Sequence, residues 1–311
     1  MTRMTHNRVL LATDTGSPFS LDDPRAYQAW RERKLEQRPA LDELLVPLEN
    51  PFKLNADEKS RVLDLCRRCN AAIYKVSDSS LSADKALVHK LGLQFGLSRL
   101  DDNLRADEDD ITSLRVTEQE GNQYIPYTNK PLSWHTDGYY NESGKQIHGW
   151  ALYCVRQAAG GGESQLMDHE MLYLMMRDED PAMISALMQP DAMTIPANRE
   201  DGEEIRPDHS GPVFSVAPSG HLHMRYSARK RNIIWKDDAA TRKARDFITA
   251  LFRDDSAPMY TYRLEPGEGV VSNNILHRRN AFTDGDTPDK KRLVWRARFH
   301  DRIVSNTIAT E

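Results

Sequence analysis

Two histidines and an aspartate, set in two distant segments, have the types and spacing of metal ligands. His135 and Asp137 form an H-x-D pair in the stretch PLSWHTDGYY, and His277 lies far downstream in SNNILHRRNAF. Two imidazoles and one carboxylate on one face of Fe(II) leave the opposite coordination positions open for a bidentate cosubstrate and O2. An open coordination sphere of this kind predicts a catalytic metal site.

An H-x-D pair is short enough to occur by chance, so its surroundings decide what it means. Of the ten histidines, His135 alone is followed by an acid two residues later. The neighbouring residues predict an extended segment. At a strand period of two, the side chains of His135 and Asp137 point to one side while Trp134 packs on the other. The spacing therefore lets both side chains reach one metal ion.

A run of arginines follows the distal histidine. Pro266 and Gly267 mark a turn, and the short apolar run after it ends at His277, which predicts strand, turn, strand. In RLVWRARFH, cationic residues then alternate with apolar ones, a pattern that an exposed outer strand would also show. Because a guanidinium can grip a buried dicarboxylate through two parallel hydrogen bonds, we expect Arg292, fifteen residues after His277, to bind such a group.

With these segments together, the chain resembles the Fe(II)/2-oxoglutarate-dependent dioxygenases of the taurine dioxygenase (TauD/TfdA) and γ-butyrobetaine hydroxylase superfamily. The resemblance runs from about residue 70 to about residue 301. It rests on NAAIYKV as the early strand, WHTDGYY as the metal-binding strand, GGGES as a loop, EPGEGVVSNNILHRRNAFTD as the distal-histidine hairpin and RLVWRARF as the arginine strand. The fold that it implies is mainly β with flanking helices, a double-stranded β-helix (jelly-roll, cupin-like) barrel.

The resemblance also implies a role for each site residue. The iron ligands would be His135, Asp137 and His277. Arg292 would pair with the C5 carboxylate of 2-oxoglutarate, Ser164 would hydrogen-bond the same group, and Arg296 would contact either the cosubstrate or an anionic substrate. The implied cofactor is Fe(II), with 2-oxoglutarate and O2 as cosubstrates. The implied reaction is hydroxylation or a related oxidation, with release of succinate and CO2.

The identity of the substrate is less constrained. Arg296 and Arg225 favour a small polar metabolite that is anionic or zwitterionic. Tyr139 and Tyr140 follow the H-x-D pair directly and could instead line a cage for a quaternary amine, since aromatic faces attract desolvated cations. Adjacent strand residues point to opposite sides, so at most one of the two tyrosines would serve. A sensor that binds metal and 2-oxoglutarate without turnover is the alternative from another class.

Two other motifs that resemble metal sites have simpler interpretations. His221 and His223 form an H-x-H on one strand face, but no carboxylate follows at a suitable short spacing. We therefore expect them to be packed or pocket-lining histidines. Cys66 and Cys69 form a C-x-x-C inside a helix predicted over residues 55–69, and we expect them to lie on the face of that helix rather than to bind zinc.

Composition and charge agree with a soluble enzyme. The 311 residues are 39% hydrophobic and 29% charged, and the formal net charge of −5 comes without the basic stripe that nucleic-acid binding requires. No apolar stretch is long enough to span a membrane, and the first residues lack the apolar core of a secretory signal. Together with an odd count of three cysteines, these features predict a cytoplasmic protein. Its expected partner is a small-molecule substrate, neither nucleic acid nor membrane, and homo-oligomerisation stays open.

The predicted organisation is an N-terminal helical extension over residues 1–53, followed by a single catalytic domain over residues 54–311. A charged helix around residues 25–37 lies in the extension. Further helices are predicted over residues 82–97 and 238–253, the latter with an apolar face. Short strands would surround the metal, and the helices would lie outside them.

Overall fold

The computed structural model describes residues 16–78, 81, 84–101, 110–117, 125–200, 203–229 and 233–303, so predictions for other residues, such as 1–15 of the N-terminal extension, lie outside the described part. The helices are α1 (Pro24–Glu36), α2 (Ala56–Cys69), α3 (Leu87–Leu93), α4 (His169–Glu179), α5 (Pro181–Leu187) and α6 (Ala239–Leu251). The strands are β1 (Leu45–Leu48), β2 (Ala71–Val76), β3 (Thr112–Leu114), β4 (Leu132–His135), β5 (Gly149–Arg156), β6 (Gly160–Gly161), β7 (Ser164–Met167), β8 (Met193–Ile195), β9 (Asn198–Glu200), β10 (Glu203–Arg206), β11 (His209–Gly211), β12 (Phe214–Val216), β13 (Leu222–Met224), β14 (Ile234–Trp235), β15 (Tyr260–Tyr262), β16 (Glu268–Ser272), β17 (Leu276–Arg279), β18 (Phe282–Thr283) and β19 (Leu293–Phe299). The prediction of a mainly β fold with helices is confirmed.

The chain forms two compact units. The first comprises Met1–Gln37, Gly138–Gln146 and His169–Pro258, and the second comprises Arg38–Asp137, Ile147–Asp168 and Met259–Glu311, in each case over the residues described. The predicted N-terminal extension is shared between them. Its helix α1 belongs to the first unit, whereas β1 pairs in parallel with β2 in the second. The domain boundary at residue 53 stays a prediction.

Two sheets form the framework of the second unit. The larger has the strand order β1-β2-β16-β5-β19-β3, and the smaller has the order β15-β7-β17-β4. Along the chain, β4 lies in the smaller sheet, β5 in the larger, β7 in the smaller, β16 in the larger, β17 in the smaller and β19 in the larger. Strands that alternate between two sheets in this way are typical of the double-stranded β-helix that the sequence predicts.

The arginine strand β19 lies inside the larger sheet rather than at its edge. It pairs with β5 on one side and β3 on the other, and Arg296 and Arg298 are buried. An exposed outer strand is therefore the wrong explanation for its alternating charges. Buried guanidinium groups are costly unless they meet acceptors. Arg298 pairs with Asp101, and Arg296 lies beside Asp137.

Helix α2 has the start and the buried face that its sequence predicts. The side chain of Asn55 accepts from the main-chain N–H of Glu58, whose own side chain accepts from the N–H of Asn55, a reciprocal capping box. Cys66 and Cys69 are thiols on the buried face, and burial raises the pKa of the Cys66 thiol. The helix-face interpretation of the C-x-x-C is confirmed.

For the other predicted helices, the observed ends agree with the predicted ends to different degrees. Helix α6 begins after its N-cap Asp238, close to the predicted start. Helix α3 is shorter than the predicted span of residues 82–97, of which residues 82 and 83 lie outside the described part. The chain turns after α3, and Gly96 takes a φ of 82°, a left-handed conformation that glycine adopts without steric cost.

The first unit combines α1, α4, α5 and α6 with the strands from β8 to β14. Its sheets have the orders β11-β8-β14, β12-β13 and β10-β9. The buried pair of Lys34 and Glu170 joins α1 to α4, and Tyr27 and Arg31 donate hydrogen bonds to Asp178 at the end of α4. None of the helices in the described ranges has the length and apolar character to cross a membrane.

Candidate active site

The pairing of β17 with β4 brings the two predicted metal-binding segments together. His277 lies opposite His135 in this antiparallel register. Strand β4 ends at His135, and Asp137 occupies the turn that follows, where Gly138 has a φ of 64°. One potential ligand atom from each of His135, Asp137 and His277 lies within 4.8 Å of the other two. Segments that are far apart in the sequence therefore converge on one point.

The donor geometry fits a two-histidine, one-carboxylate metal site. The Nε2 atoms of His135 and His277 lie 3.5 and 3.9 Å from Oδ1 of Asp137. Nδ1 of His135 lies 2.9 Å from the carbonyl oxygen of Ser133, and Nδ1 of His277 lies 3.0 Å from that of Ile275. A ring whose Nδ1–H donates to a carbonyl presents an unprotonated Nε2 to a metal. Both imidazoles are thus held in the tautomer that binds Fe(II).

Burial and neighbouring charges set the ionisation of these ligands. Burial opposes the charged form of Asp137, but the nearby guanidinium of Arg296 holds the pKa of this carboxyl well below its usual range. Nη1 of Arg296 lies 3.5 Å from both carboxylate oxygens. Burial and the neighbouring His135 lower the pKa of His277 to about 3. At neutral pH the site therefore presents a carboxylate and a neutral imidazole, the forms that bind metal.

Arg292 and Ser164 line one cleft in the second unit. Arg292 immediately precedes β19, its main-chain N–H donates to Asp284 at 2.7 Å, and its Cζ lies 5.2 Å from the centre of the Phe282 ring. Among the described residues, its buried Nη1 has no hydrogen-bond partner. Burial also lowers the pKa of Arg292. An unpaired buried donor needs an acceptor, and the carboxylate of 2-oxoglutarate is a group of the right charge and shape.

Arg225, a predicted substrate contact, holds the main chain of the first unit. It is buried, and its guanidinium donates to the carbonyls of Tyr139, Met193 and His209 at 2.9, 3.0 and 2.8 Å. Burial and the neighbouring Arg206 lower its pKa to about 10. These bonds join three separate segments. A contact between Arg225 and an anionic substrate stays a prediction.

Tyr139 and Tyr140 do not lie on a strand. Residues 137–140 form a turn, and the two rings contact each other edge to face with their centres 5.2 Å apart. The expectation that the tyrosines point to opposite sides of a strand is wrong, because β4 ends at His135 and the tyrosines lie in the turn that follows, where Gly138 has a positive φ. Whether either ring contacts a substrate stays a prediction.

Other side chains shape the site without having been singled out in the sequence. The amide of Asn274 hydrogen-bonds the main chain of Asp137. Trp150 on β5 places its ring 4.9 Å from that of His277, centre to centre. Arg279 is buried and donates to two main-chain carbonyls. The features of the sequence that could have indicated Asn274 and Arg279 are the pair of asparagines before His277 and the pair of arginines after it.

Among the described residues, His221 and His223 are not part of a group of three or more potential metal ligands. His221 precedes β13 and His223 lies within it, opposite Ser215 of β12. In the part of the chain that the structure describes, the ligand atoms of three or more His, Cys, Asp or Glu side chains converge only at His135, Asp137 and His277.

The fold and this donor set define a non-haem iron oxygenase of the jelly-roll type. The profile of the family described as "Taurine catabolism dioxygenase TauD, TfdA family" matches residues 36–298. The chain belongs to this family. It is a 2-oxoglutarate-dependent dioxygenase that uses Fe(II), 2-oxoglutarate and O2.

Relatives in the family are named for a nucleotide substrate. A uridine-5'-phosphate dioxygenase from Streptomyces sp is 30% identical over 200 residues, which are 62% of this chain and 71% of the relative. A protein of the same name from Amycolatopsis sp is 32% identical over 176 residues, or 53% of this chain and 60% of the relative.

Solved structures of similar fold include asparagine oxygenase in complex with Fe(II), 2S,3S-3-hydroxyasparagine and succinate. It has a TM-score of 0.57 and 17% identity, covering 93% of this chain and 87% of that one. The non-heme iron oxygenase OrfP in complex with Fe and alpha-ketoglutaric acid has a TM-score of 0.56 and 15% identity, covering 80% and 81%. These similarities confirm the predicted fold.

Proposed function

We propose that this dioxygenase oxidises a small anionic metabolite, and that a nucleoside 5'-monophosphate is the first class to test. The observation that supports an anion is Arg296, which is 9% exposed and lies beside Asp137. Its buried Nε has no hydrogen-bond partner among the described residues. A buried cation with a spare donor next to the metal favours a negatively charged ligand. The names of the two relatives support phosphate as the anionic group.

In the proposed site the iron ligands are His135, Asp137 and His277. Bound Fe(II) supplies the redox chemistry that couples the decarboxylation of 2-oxoglutarate, to succinate and CO2, with oxidation of the substrate. Arg292 and Ser164 bind the C5 carboxylate and so fix the far end of the cosubstrate. Arg292 provides the opposite charge, and the Ser164 hydroxyl donates a hydrogen bond.

The remaining residues of the site orient groups and exclude water. The carbonyls of Ser133 and Ile275 keep Nε2 of each imidazole free of a proton. Arg296 balances the charge of Asp137 and keeps it ionised. Trp150, which is 1% exposed, covers one side of the His277 ring and limits the access of water there.

Succinate release on a panel of paired compounds tests the substrate class. The pairs are uridine 5'-phosphate with uridine and adenosine 5'-phosphate with adenosine, with asparagine, arginine and γ-butyrobetaine as further members. We expect 2-oxoglutarate turnover to be stimulated by anionic or zwitterionic members, with an oxidised product visible by mass. Arg296→Ala should lower this stimulation, while Arg245→Ala, at an exposed position of α6, should leave it unchanged. Equal stimulation by each nucleoside and its 5'-phosphate would contradict the proposed anionic class, and stimulation by γ-butyrobetaine alone would favour a cage containing Tyr139 or Tyr140.

The sensor alternative is not favoured, because the chain belongs to a dioxygenase family and has a complete iron-binding donor set. We propose a cytoplasmic location, since Fe(II) and the buried thiols of Cys66, Cys69 and Cys154 suit a reducing compartment. A small-molecule substrate is the proposed partner. Homo-oligomerisation stays a prediction, which sedimentation would test.

A further inference from the structure

We propose that Asn274 is a positioning residue of the metal centre, which fixes the main chain of Asp137 and closes the base of the segment over residues 138–146. The inference rests on the proposed iron site. Asn274 is 2% exposed and lies in the connection between β16 and β17, three residues before His277. It therefore lies in the same segment as one ligand, while its side chain contacts the segment of another.

The amide of Asn274 uses both of its functional groups. Its Oδ1 accepts from the main-chain N–H of Asp137 at 2.8 Å, and its Nδ2 donates to the carbonyl of Asp137 at 2.9 Å and to that of Ile147 at 2.6 Å. Asp137 and Ile147 flank the segment over residues 138–146. One side chain thus binds the peptide groups on both sides of the Asp137 Cα and joins the two ends of this segment.

These bonds act on the direction of the Asp137 carboxylate. With its N–H and its carbonyl both held, Asp137 loses freedom in its main-chain torsions, and the vector from Cα to Cβ is fixed. The Oδ1 atom lies 3.5 and 3.9 Å from the Nε2 atoms of His135 and His277, so a small rotation of the main chain would open the donor set. Groups that orient metal ligands typically contribute 10–100-fold to metal affinity or activity.

Position 274 requires both a backbone conformation and an amide. Asn274 has a φ of 52°, in the left-handed region that asparagine and glycine adopt more readily than other residues. Aspartate would lose the two donated bonds, and serine would not reach across to two carbonyls. Glycine at position 274 would keep the left-handed backbone conformation and remove only the side-chain amide. Asn274→Gly therefore tests the amide separately from the backbone.

The neighbouring Asn273 is a matched control. It is 4% exposed, its Nδ2 donates to Oδ1 of Asn70 at 3.1 Å, and its Oδ1 accepts from the main-chain N–H of Ile303 at 2.9 Å. Neither partner is a candidate metal ligand. Loss of either amide should destabilise the fold, but only the loss of Asn274 should change the metal site.

The test compares Asn274→Gly, Asn273→Gly and the wild-type chain, each prepared without metal. Co(II) is the probe, because its visible absorption reports both binding and ligand geometry, and Tm is measured on the same samples. We expect Asn274→Gly to raise the Kd for Co(II) about 10–100-fold and to change the absorption spectrum. Asn273→Gly should lower Tm but leave the Kd within about twofold of wild type.

The outcomes separate this inference from the proposed iron site. No Co(II) or Fe(II) binding by the wild-type chain would remove the metal site itself. Binding by all three proteins with Kd values within twofold would overturn the positioning role of Asn274 alone. If Asn274→Gly does not fold, hydrogen exchange of the wild-type, metal-free protein decides. The amide of Asp137 should then be protected, and exchange at the rate of an unprotected amide would overturn the proposal.

Discussion

Arg292 places a buried donor in the cleft that it shares with Ser164, and its loss should weaken the binding of 2-oxoglutarate. Arg292→Ala should raise the KM for 2-oxoglutarate at least about 30-fold, because removal of one partner of a buried charged hydrogen bond costs about 2–5 kcal/mol. Succinate release at saturating substrate measures this KM. Arg245→Ala, at an exposed position of α6, is the control and should leave it unchanged. An unchanged KM in Arg292→Ala would move the carboxylate-binding role to Arg296.

His148 should make the metal-free enzyme sensitive to acid. Burial and the charge of Arg302 lower the pKa of His148 to about 4, whereas a histidine in the unfolded chain titrates near pH 6.5. The unfolded state therefore binds more protons between about pH 4 and pH 6.5, and stability is lost as the pH falls through this window. Calorimetry should show a smaller drop in Tm from about pH 7 to about pH 5 in His148→Asn than in wild type. Equal drops would contradict this origin of the acid sensitivity.

The sequence predicts the site residues to the extent that their partners are local. His135 and Asp137 are two residues apart in one segment, so it is expected that both can reach one metal ion, although Asp137 lies in the turn after β4 and its direction is not set by the strand period. The role of Asn274 could not be predicted in this way, because its amide bonds to residues 137 and 127 positions away. Arg296 is an intermediate case. Its charge can be read from the sequence, but its contact with Asp137 depends on how the strands of the second unit pack.

At the scale of elements, hydrophobic periodicity predicts which side of a strand each side chain faces, but not whether that side is buried or exposed. The alternation in β19 correctly predicts a strand, yet the same alternation fits an exposed edge or a buried strand. The choice depends on β3 and β5, which pair with β19 from distant parts of the chain. The predicted span of α3 was too long for a related reason, because apolar residues at helical spacing continue past the point where the chain turns.

The pairing of β6 with β18 depends on a glycine beside the cleft. Gly161 has a φ of 71°, and a Cβ there would lie 2.4 Å from the carbonyl oxygen of Ala281. Gly161→Ala should lower the free energy of unfolding by at least about 1–2 kcal/mol, the cost of a left-handed residue with a side chain, before the steric clash is added. It should also raise the KM for 2-oxoglutarate, since Gly161 and Arg292 line the same cleft.

The adjacent Gly160 provides the control for this prediction. A Cβ at Gly160 would meet no atom within 4 Å, and its φ is not in the positive range. Gly160→Ala should therefore leave both the denaturation midpoint and the KM close to wild type. Equal effects of the two substitutions would show that the backbone of Gly161 is not the cause.

At the scale of the whole molecule, helix α1 is part of the first unit through a buried ion pair. The side chains of Lys34 and Glu170 are 5% and 10% exposed. Lys34→Met should lower the free energy of unfolding by about 3–5 kcal/mol, because it leaves the carboxylate of Glu170 buried and unpaired. Chemical denaturation measures the change. Lys243→Met breaks an exposed pair with Asp180 and should lower the free energy of unfolding by only about 0–1 kcal/mol. A similarly small change for Lys34→Met would contradict the burial of the pair between Lys34 and Glu170.

The sequence predicts the architecture of the molecule better than its division into units. The alternation of short strands and turns is local and indicates the jelly-roll class. The first unit is assembled from three separate stretches of chain, and contacts such as that between Tyr27 and Asp178 span 151 positions. No local pattern reports such contacts, so the predicted extension over residues 1–53 did not show that α1 and β1 belong to different units.

The most direct test of the metal centre is an anaerobic titration of the metal-free enzyme with Fe(II) in the presence of 2-oxoglutarate, read as the visible charge-transfer absorption of the iron chelate. Wild type and His221→Ala should both develop the band, whereas His277→Ala should not, because it removes the ligand that β17 brings opposite His135. A band of wild-type strength in His277→Ala, or none in wild type, would contradict an iron site built from His135, Asp137 and His277.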